Sequence, residues 1–311
     1  KDFRFHILSC FENFAYKKEF VDDFNCSYTI LPRKNKKPIS YIKELKAVAK
    51  QSKPDDILQI NAMSYRNFLL FHSIKRFKGK IIIVGHAAGT NSRGFKLLHK
   101  FNRFLYKNLG KKIAITQEAG KYMFKNGFDV ISNGIDAKKF IFNKVKRNEL
   151  REKYNIKNDD IVLGQVGRIC KIKNQEFTSN LIETLPDNFH LFVIGKTESI
   201  KIKKCLQNKK NIHLIDQTKC ISDFYNMFDI TLFPSKKGEG AGLVMYESLA
   251  NGCPCIVSDQ VPKINVNTDK LNVFVDKSMG ENFPGYYFTE VQNAFEDYTK
   301  ATRILLNTDR K

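Results

Sequence analysis

The sequence predicts an α/β protein built from two Rossmann-like, doubly wound domains. Three observations predict it. Short apolar runs recur along the whole chain, segments of helical period separate them, and several runs are continuously apolar rather than alternating. The run 80–84, Lys-Ile-Ile-Ile-Val, is of this last kind, as expected for a parallel strand covered by helices on both faces. A length of 311 residues accommodates two ordinary domains, and 42% hydrophobic with 27% charged residues is the composition of a globular chain.

Taken in order, strands are expected over 5–9, 56–60, 80–86, 112–116 and 130–133. Helices are expected over 39–50, 65–77, 96–109 and 118–125. The charge-dense stretch 141–160, with a short helix near 149–154, reads as the linker between a first domain, 1–140, and a second, 161–311. Strands in the second domain are expected over 161–167, 190–195, 212–216, 230–234, 255–258 and 273–276. Domains of this kind bind ligands outside the carboxyl ends of their strands, so the residues there carry the functional reading.

Composition narrows the function classes. The seven cysteines are scattered and lack the paired spacing of a zinc site, so no metal is expected. They read as reduced thiols of a reducing compartment, with Cys253 and Cys255 at core or half-core positions of a strand. Residues 1–10 read as a strand rather than a leader, and no window reaches the roughly 20 apolar residues of a membrane span.

The net charge of +21 is unevenly placed: residues 1–150 hold 31 Lys+Arg against 12 Asp+Glu, whereas 151–311 hold 22 against 20. A basic half attracts nucleic acid or anionic lipid. With no recognition-helix, aromatic-platform or zinc pattern, nucleic acid is not the expected partner; an anionic membrane surface is. Lys96, Lys100, Arg103 and Lys107 share one face of a helix, and Leu97, Phe101, Phe104 and Leu105 fall toward another side. Such a helix can lie on a membrane. The blander alternative puts its apolar side in the core and leaves its charges merely solvated.

Four features at successive strand ends carry chemistry. After the strand ending at Gly167 come Arg168 and Lys173, a planar donor fork and a compact charge suited to a diphosphate. After Pro234-Ser235 comes a Gly-rich loop holding Glu239, then Ala241, Gly242 and Leu243 at the start of a helix, where backbone N–H groups stabilise anions. Glu247 follows one turn into that helix. Asn251-Gly252 reads as a left-handed helix cap before the next strand, and Asn133-Gly134-Ile135-Asp136 as a strand end with a tight turn. In the first domain, His86 closes the apolar run 81–84 at the carboxyl end of its strand, where a structural histidine and a functional one are equally at home.

Together these residues resemble family 4 of the retaining glycosyltransferases, specifically from Asn133 to Asp259, with Glu239 and Glu247 in the E-x7-E pattern of that family. The resemblance is to the bacterial capsule and exopolysaccharide type. It implies the GT-B fold, two Rossmann-like domains facing across a cleft. It also implies transfer from a UDP- or GDP-sugar, without cofactor or metal, to a glycan or lipid-linked acceptor at the cytoplasmic face of the plasma membrane.

By the resemblance, Arg168 and Lys173 hold the diphosphate and Glu247 the ribose. Glu239, with the backbone of Ala241, Gly242 and Leu243, holds the transferred sugar. His86 contacts that sugar or the acceptor. No side-chain nucleophile is implied. Family members open with a strand and a Gly-rich loop ahead of the position of Phe5 and close with a further helix. Both are expected to be missing here, which keeps open a second class, an inactive nucleotide- or partner-binding protein.

Overall fold

The computed structural model describes residues 4–11, 26–65, 67–86, 93–207, 209–236, 242–258 and 286–289. The chain divides into two compact units. One comprises Lys1–Gly85, Thr90–Ile113 and Met123–Asp129, the other His86–Gly89, Ala114–Tyr122 and Val130–Lys311.

The first unit begins with β1 (His6–Ser9), which pairs in parallel with β2 (Ser27–Ile30). Strand β2 escapes the sequence pattern because its four residues, Ser-Tyr-Thr-Ile, mix polar and apolar without a run. There follow α1 (Pro38–Gln51), β3 (Ile57–Ala62), α2 (Phe68–Ile74), β4 (Lys80–Gly85), α3 (Arg93–Leu105), β5 (Lys111–Ala114), α4 (Gln117–Met123) and β6 (Asp129–Val130). These strands form a sheet in the order β3-β4-β5-β6, with β3 and β4 parallel from Ile57–Lys80 to Ala62–Gly85. Pro38 opens α1 where its missing N–H costs nothing.

Helix α3 sits opposite to the bland expectation. Its inward side is polar: His99 is 2% exposed and accepts from the Tyr65 N–H through Nδ1 at 3.0 Å, and Asn102 Nδ2 donates to the Tyr65 carbonyl at 2.8 Å. The buried backbone of Tyr65 must find partners. It finds them on α3, which turns Leu97, Phe101, Phe104 and Leu105 out to solvent.

The second unit contains a 3-10 turn (Ala137–Phe140), α5 (Lys144–Lys153), β7 (Ile161–Val166), α6 (Gln175–Ile182), β8 (Phe189–Ile194), α7 (Ile200–Leu206), β9 (Ile212–Ile215), α8 (Ile221–Met227), β10 (Ile230–Phe233), α9 (Leu243–Ala250), β11 (Cys255–Ser258) and β12 (Tyr286–Thr289). Its six strands are all parallel, in the order β12-β11-β10-β7-β8-β9. The chain thus winds outward from β7 to β9, then returns to the other side of β7 and winds outward again. The order reverses between β7 and β10, which is the topological switch point of a Rossmann sheet. Alternation along β8 feeds two cores: Leu191 and Val193 pack with Leu163, Leu181 and Ile256, and Phe192 and Ile194 with Val162, Tyr225 and Phe228.

The stretch 141–160, expected as the linker, carries α5. Helix α5 packs on α8, and Arg147 Nη1 donates to the carbonyls of Asn226 at 3.1 Å and Met227 at 2.9 Å, at the end of α8. Its Nη2 reaches Asp229 Oδ1 at 2.6 Å, while Arg151, 7% exposed, donates to the Asp160 carbonyl and pairs with Asp229. These charges cap orphaned carbonyls and meet a carboxylate that also accepts from the Val162 N–H at 2.7 Å.

The strand expected over 273–276 lies outside the described residues, and β12 was not foreseen. Among the described residues no cysteine forms a disulfide, and Cys253 and Cys255 are fully buried. Gly252, at φ 73°, provides the left-handed cap after α9. Among the described residues no helix is long and apolar enough to cross a membrane.

Candidate functional site

The site is assembled on the two loops that flank the switch point, after β7 and after β10. Gly167 follows β7 with φ 142°, and Gly195 follows β8 with φ 151°. A Cβ on Gly195 would lie 2.2 Å from the Gly167 carbonyl oxygen, so only glycine lets these strand ends run so close. The loop after β7 is held from below by buried amides. Gln165 Nε2 donates to the Lys173 carbonyl at 2.8 Å, Gln175 Nε2 to the Arg168 carbonyl at 2.9 Å, and Thr178 Oγ1 ties Gln165 to the backbone of Gln175. The Lys236 N–H then donates to the Ile172 carbonyl at 2.7 Å and joins the two loops.

On this platform the side chains stack. Lys173 lies over Gly167, where a Cβ would come within 3.0 Å of its Cε. Its ammonium sits 4.4 Å from the centroid of the Phe233 ring. The edge of Phe233 abuts Gly242, the residue that precedes α9, where a Cβ would lie 2.8 Å from the ring. Leu243 opens α9, and Glu247 follows one turn later.

Glu247 Oε2 accepts from the Tyr225 hydroxyl at 2.8 Å. Burial pushes the Glu247 carboxyl above its ordinary value, while the Tyr225 hydroxyl and the Lys173 charge both favour its ionised form. Burial, and then the Glu247 carboxylate, hold Tyr225 well above the ordinary tyrosine value, so it remains a donor. Lys173 is thus near enough for its charge to act on Glu247, with Tyr225 bonded to Glu247 and Phe233 beneath the ammonium.

Arg168 takes a different course. Its Nη1 lies 2.9 Å from both carboxylate oxygens of Glu198 in the loop after β8. That loop runs beside its own because Ile169 and Thr197 form an isolated parallel bridge. The guanidinium thus engages an acid the sequence reading missed; the signal was a carboxylate three residues past the glycine that follows β8. Two further strand-end hydroxyls, Ser235 Oγ and Thr197 Oγ1, are buried with no hydrogen-bond partner among the described residues. Ser235 follows β10 at the switch point and Thr197 follows the neighbouring β8, and an unpaired buried hydroxyl at a switch point suits a crevice that takes a polar ligand.

Glu239 and Ala241 lie outside the described residues. His86 directly follows β4 and is half-buried; burial lowers it from the ordinary histidine value, favouring the neutral ring. The segment from Asn133 to Asp136 is irregular, and Ser132 before it hydrogen-bonds the Tyr246 side chain on α9. Lys96, Lys100 and Lys107 are exposed and Arg103 half-buried at one side of α3.

Residues 146–278 match the family model described as Glycosyl transferases group 1. The chain is 24% identical over 243 residues to EpsF of Bacillus subtilis (strain 168), covering 72% of this chain and 62% of that protein. It is 35% identical over 139 residues to the capsular polysaccharide biosynthesis glycosyltransferase CapM of Staphylococcus aureus, covering 41% of this chain and 35% of that protein. It is 26% identical over 248 residues to the Escherichia coli UDP-Gal:alpha-D-GlcNAc-diphosphoundecaprenol alpha-1,3-galactosyltransferase, covering 71% and 63%. The chain thus spans less than two thirds of the length of each of these relatives. Among solved structures, Anabaena HepE in complex with UDP superposes with a TM-score of 0.74 at 10% identity, covering 98% of this chain and 90% of that one. The matched segment holds Gly167, Lys173, Gly242 and Glu247, and the likeness to HepE is one of fold. Residues 146–278 thus carry a Glycosyl transferases group 1 domain, and the chain has the GT-B fold.

Proposed function

We propose that the chain transfers a sugar from a UDP- or GDP-sugar to a glycan or lipid-linked acceptor, with retention of anomeric configuration, in the synthesis of a capsule or exopolysaccharide. The observation that carries this reading is the stack of Lys173, Phe233 and Gly242 beside Glu247 at the switch point. Cleavage of a nucleotide-sugar leaves negative charge on a phosphate. A fixed ammonium and the N–H groups at the start of α9 meet that charge as it develops, and no metal is called for. Glu247, held by Tyr225, has the right chemistry to accept from ribose hydroxyls. Arg168 joins the diphosphate by leaving Glu198, and the resemblance assigns Glu239 and the Ala241 backbone to the transferred sugar.

The names of the relatives support the substrate classes: one serves capsular polysaccharide synthesis and another acts on a diphosphoundecaprenol-linked sugar. A lipid-linked acceptor and the basic first half favour a peripheral position at the cytoplasmic face of the plasma membrane. The test is hydrolysis and transfer with a panel of UDP- and GDP-sugars, with the anomer of the product read by NMR. Turnover of one donor with retention is expected. Binding of nucleotide with no turnover of any donor overturns the transferase reading and leaves a nucleotide-binding protein.

A further inference from the structure

Helix α3 divides into three sides. The inward side holds His99 and Asn102, bonded to Tyr65. One flank carries Lys96, Lys100, Arg103 and, just past the helix, Lys107. The outward side carries Leu97, Phe101, Phe104 and Leu105, and Leu97 is 73% and Phe104 67% exposed. An apolar stripe of this kind normally faces a core. Here the hydrogen bonds to Tyr65 hold it in water, and the Lys107 ammonium lies 5.3 Å from the centroid of the Phe104 ring at the boundary of the two sides.

We infer that α3 is a bilayer-insertion helix, whose outward leucines and phenylalanines enter the acyl boundary of an anionic phospholipid surface while the basic flank meets the headgroup phosphates. Charge complementarity selects this occupant. A second copy of the chain would bring a like basic flank to the same face, within a half-chain carrying 31 Lys+Arg against 12 Asp+Glu. The inference deepens the membrane part of the proposed function and rests on it for the choice of partner. It makes the apolar side chains, rather than charge alone, the anchor.

The chain contains no tryptophan, so Phe104→Trp places a sole indole on this face. With vesicles of phosphatidylglycerol and phosphatidylcholine, its emission should shift to the blue and be quenched by brominated acyl chains; pure phosphatidylcholine should do neither. Phe101→Ser in the same background should weaken partition about tenfold. Unchanged emission with anionic vesicles, in protein that still binds nucleotide, overturns the inference. A blue shift that grows with protein concentration without lipid also overturns it and assigns the face to self-association. Donor hydrolysis in lipid-free buffer separates the two readings: hydrolysis without insertion sinks this inference alone, and insertion without hydrolysis sinks the transferase reading alone.

Discussion

The ammonium of Lys173 lies 4.4 Å from the centroid of the Phe233 ring, which joins the loop after β7 to the end of β10. The charge is thereby fixed at the switch point before any ligand arrives. Lys173→Ala should weaken binding of a nucleoside diphosphate at least tenfold, about 1.4 kcal/mol, in isothermal titration. Phe233→Leu keeps the charge but loosens its seat, and should cost less.

Glu247 is strained between function and stability. Burial raises its carboxyl above the ordinary value, so ionisation at neutral pH opposes folding. Glu247→Gln keeps an acceptor for Tyr225 and removes the buried charge. Its melting temperature should equal or exceed that of the wild type, while donor affinity or turnover falls about tenfold. A lower melting temperature with normal turnover would reverse both assignments.

Glu198 competes with the ligand for Arg168. The pair is about half exposed, so releasing it costs at most about 1 kcal/mol. Glu198→Gln should therefore tighten nucleoside diphosphate binding by up to about fivefold, measured at low salt where the pair is least screened.

Arg151 is a structural cation. Truncating it leaves the Asp160 carbonyl without its donor and Asp229 with Arg147 alone as its cation, and Arg151→Ala should destabilise the second unit by about 1–3 kcal/mol. Denaturant unfolding reads this directly. A surface linker residue would change stability by less than about 0.5 kcal/mol.

His213 stacks on Phe192 with ring centroids 4.2 Å apart, and its Nε2 lies 3.2 Å from His190 Nδ1. Burial first, and then His190, lower it to about 4. Because the folded value lies below the unfolded one near 6.5, the associated stability is present above pH 6.5 and is lost as pH falls toward 4. Discounted for partial exposure, the loss is about 1–2 kcal/mol. His213→Phe should flatten thermal stability between pH 7 and pH 5.

Much of this was legible in the sequence. The runs before Gly167 and Pro234 are apolar except for Gly164-Gln165 and Thr231, and α9 starts at Leu243 where the Gly-rich loop ends. Glycines and a proline-bounded strand are local signals, so they survive without tertiary knowledge. What was not legible depends on partners distant in sequence. Arg147 and Arg151 read as linker charge because Asp229 lies some eighty residues away. Tyr225 meets Glu247 across 22 residues, and Glu198 meets Arg168 across 30. The direction of α3 was likewise set by the Tyr65 backbone, which amphipathicity alone does not reveal.

The central claim is that the loops after β7 and β10 form a nucleoside diphosphate site centred on Lys173. Isothermal titration of UDP and GDP into the wild type and Lys173→Ala tests it most directly. Saturable one-to-one binding of one nucleotide, weakened at least tenfold in the variant, is the predicted result. Equal affinity in both proteins, with the variant fully folded, would contradict it.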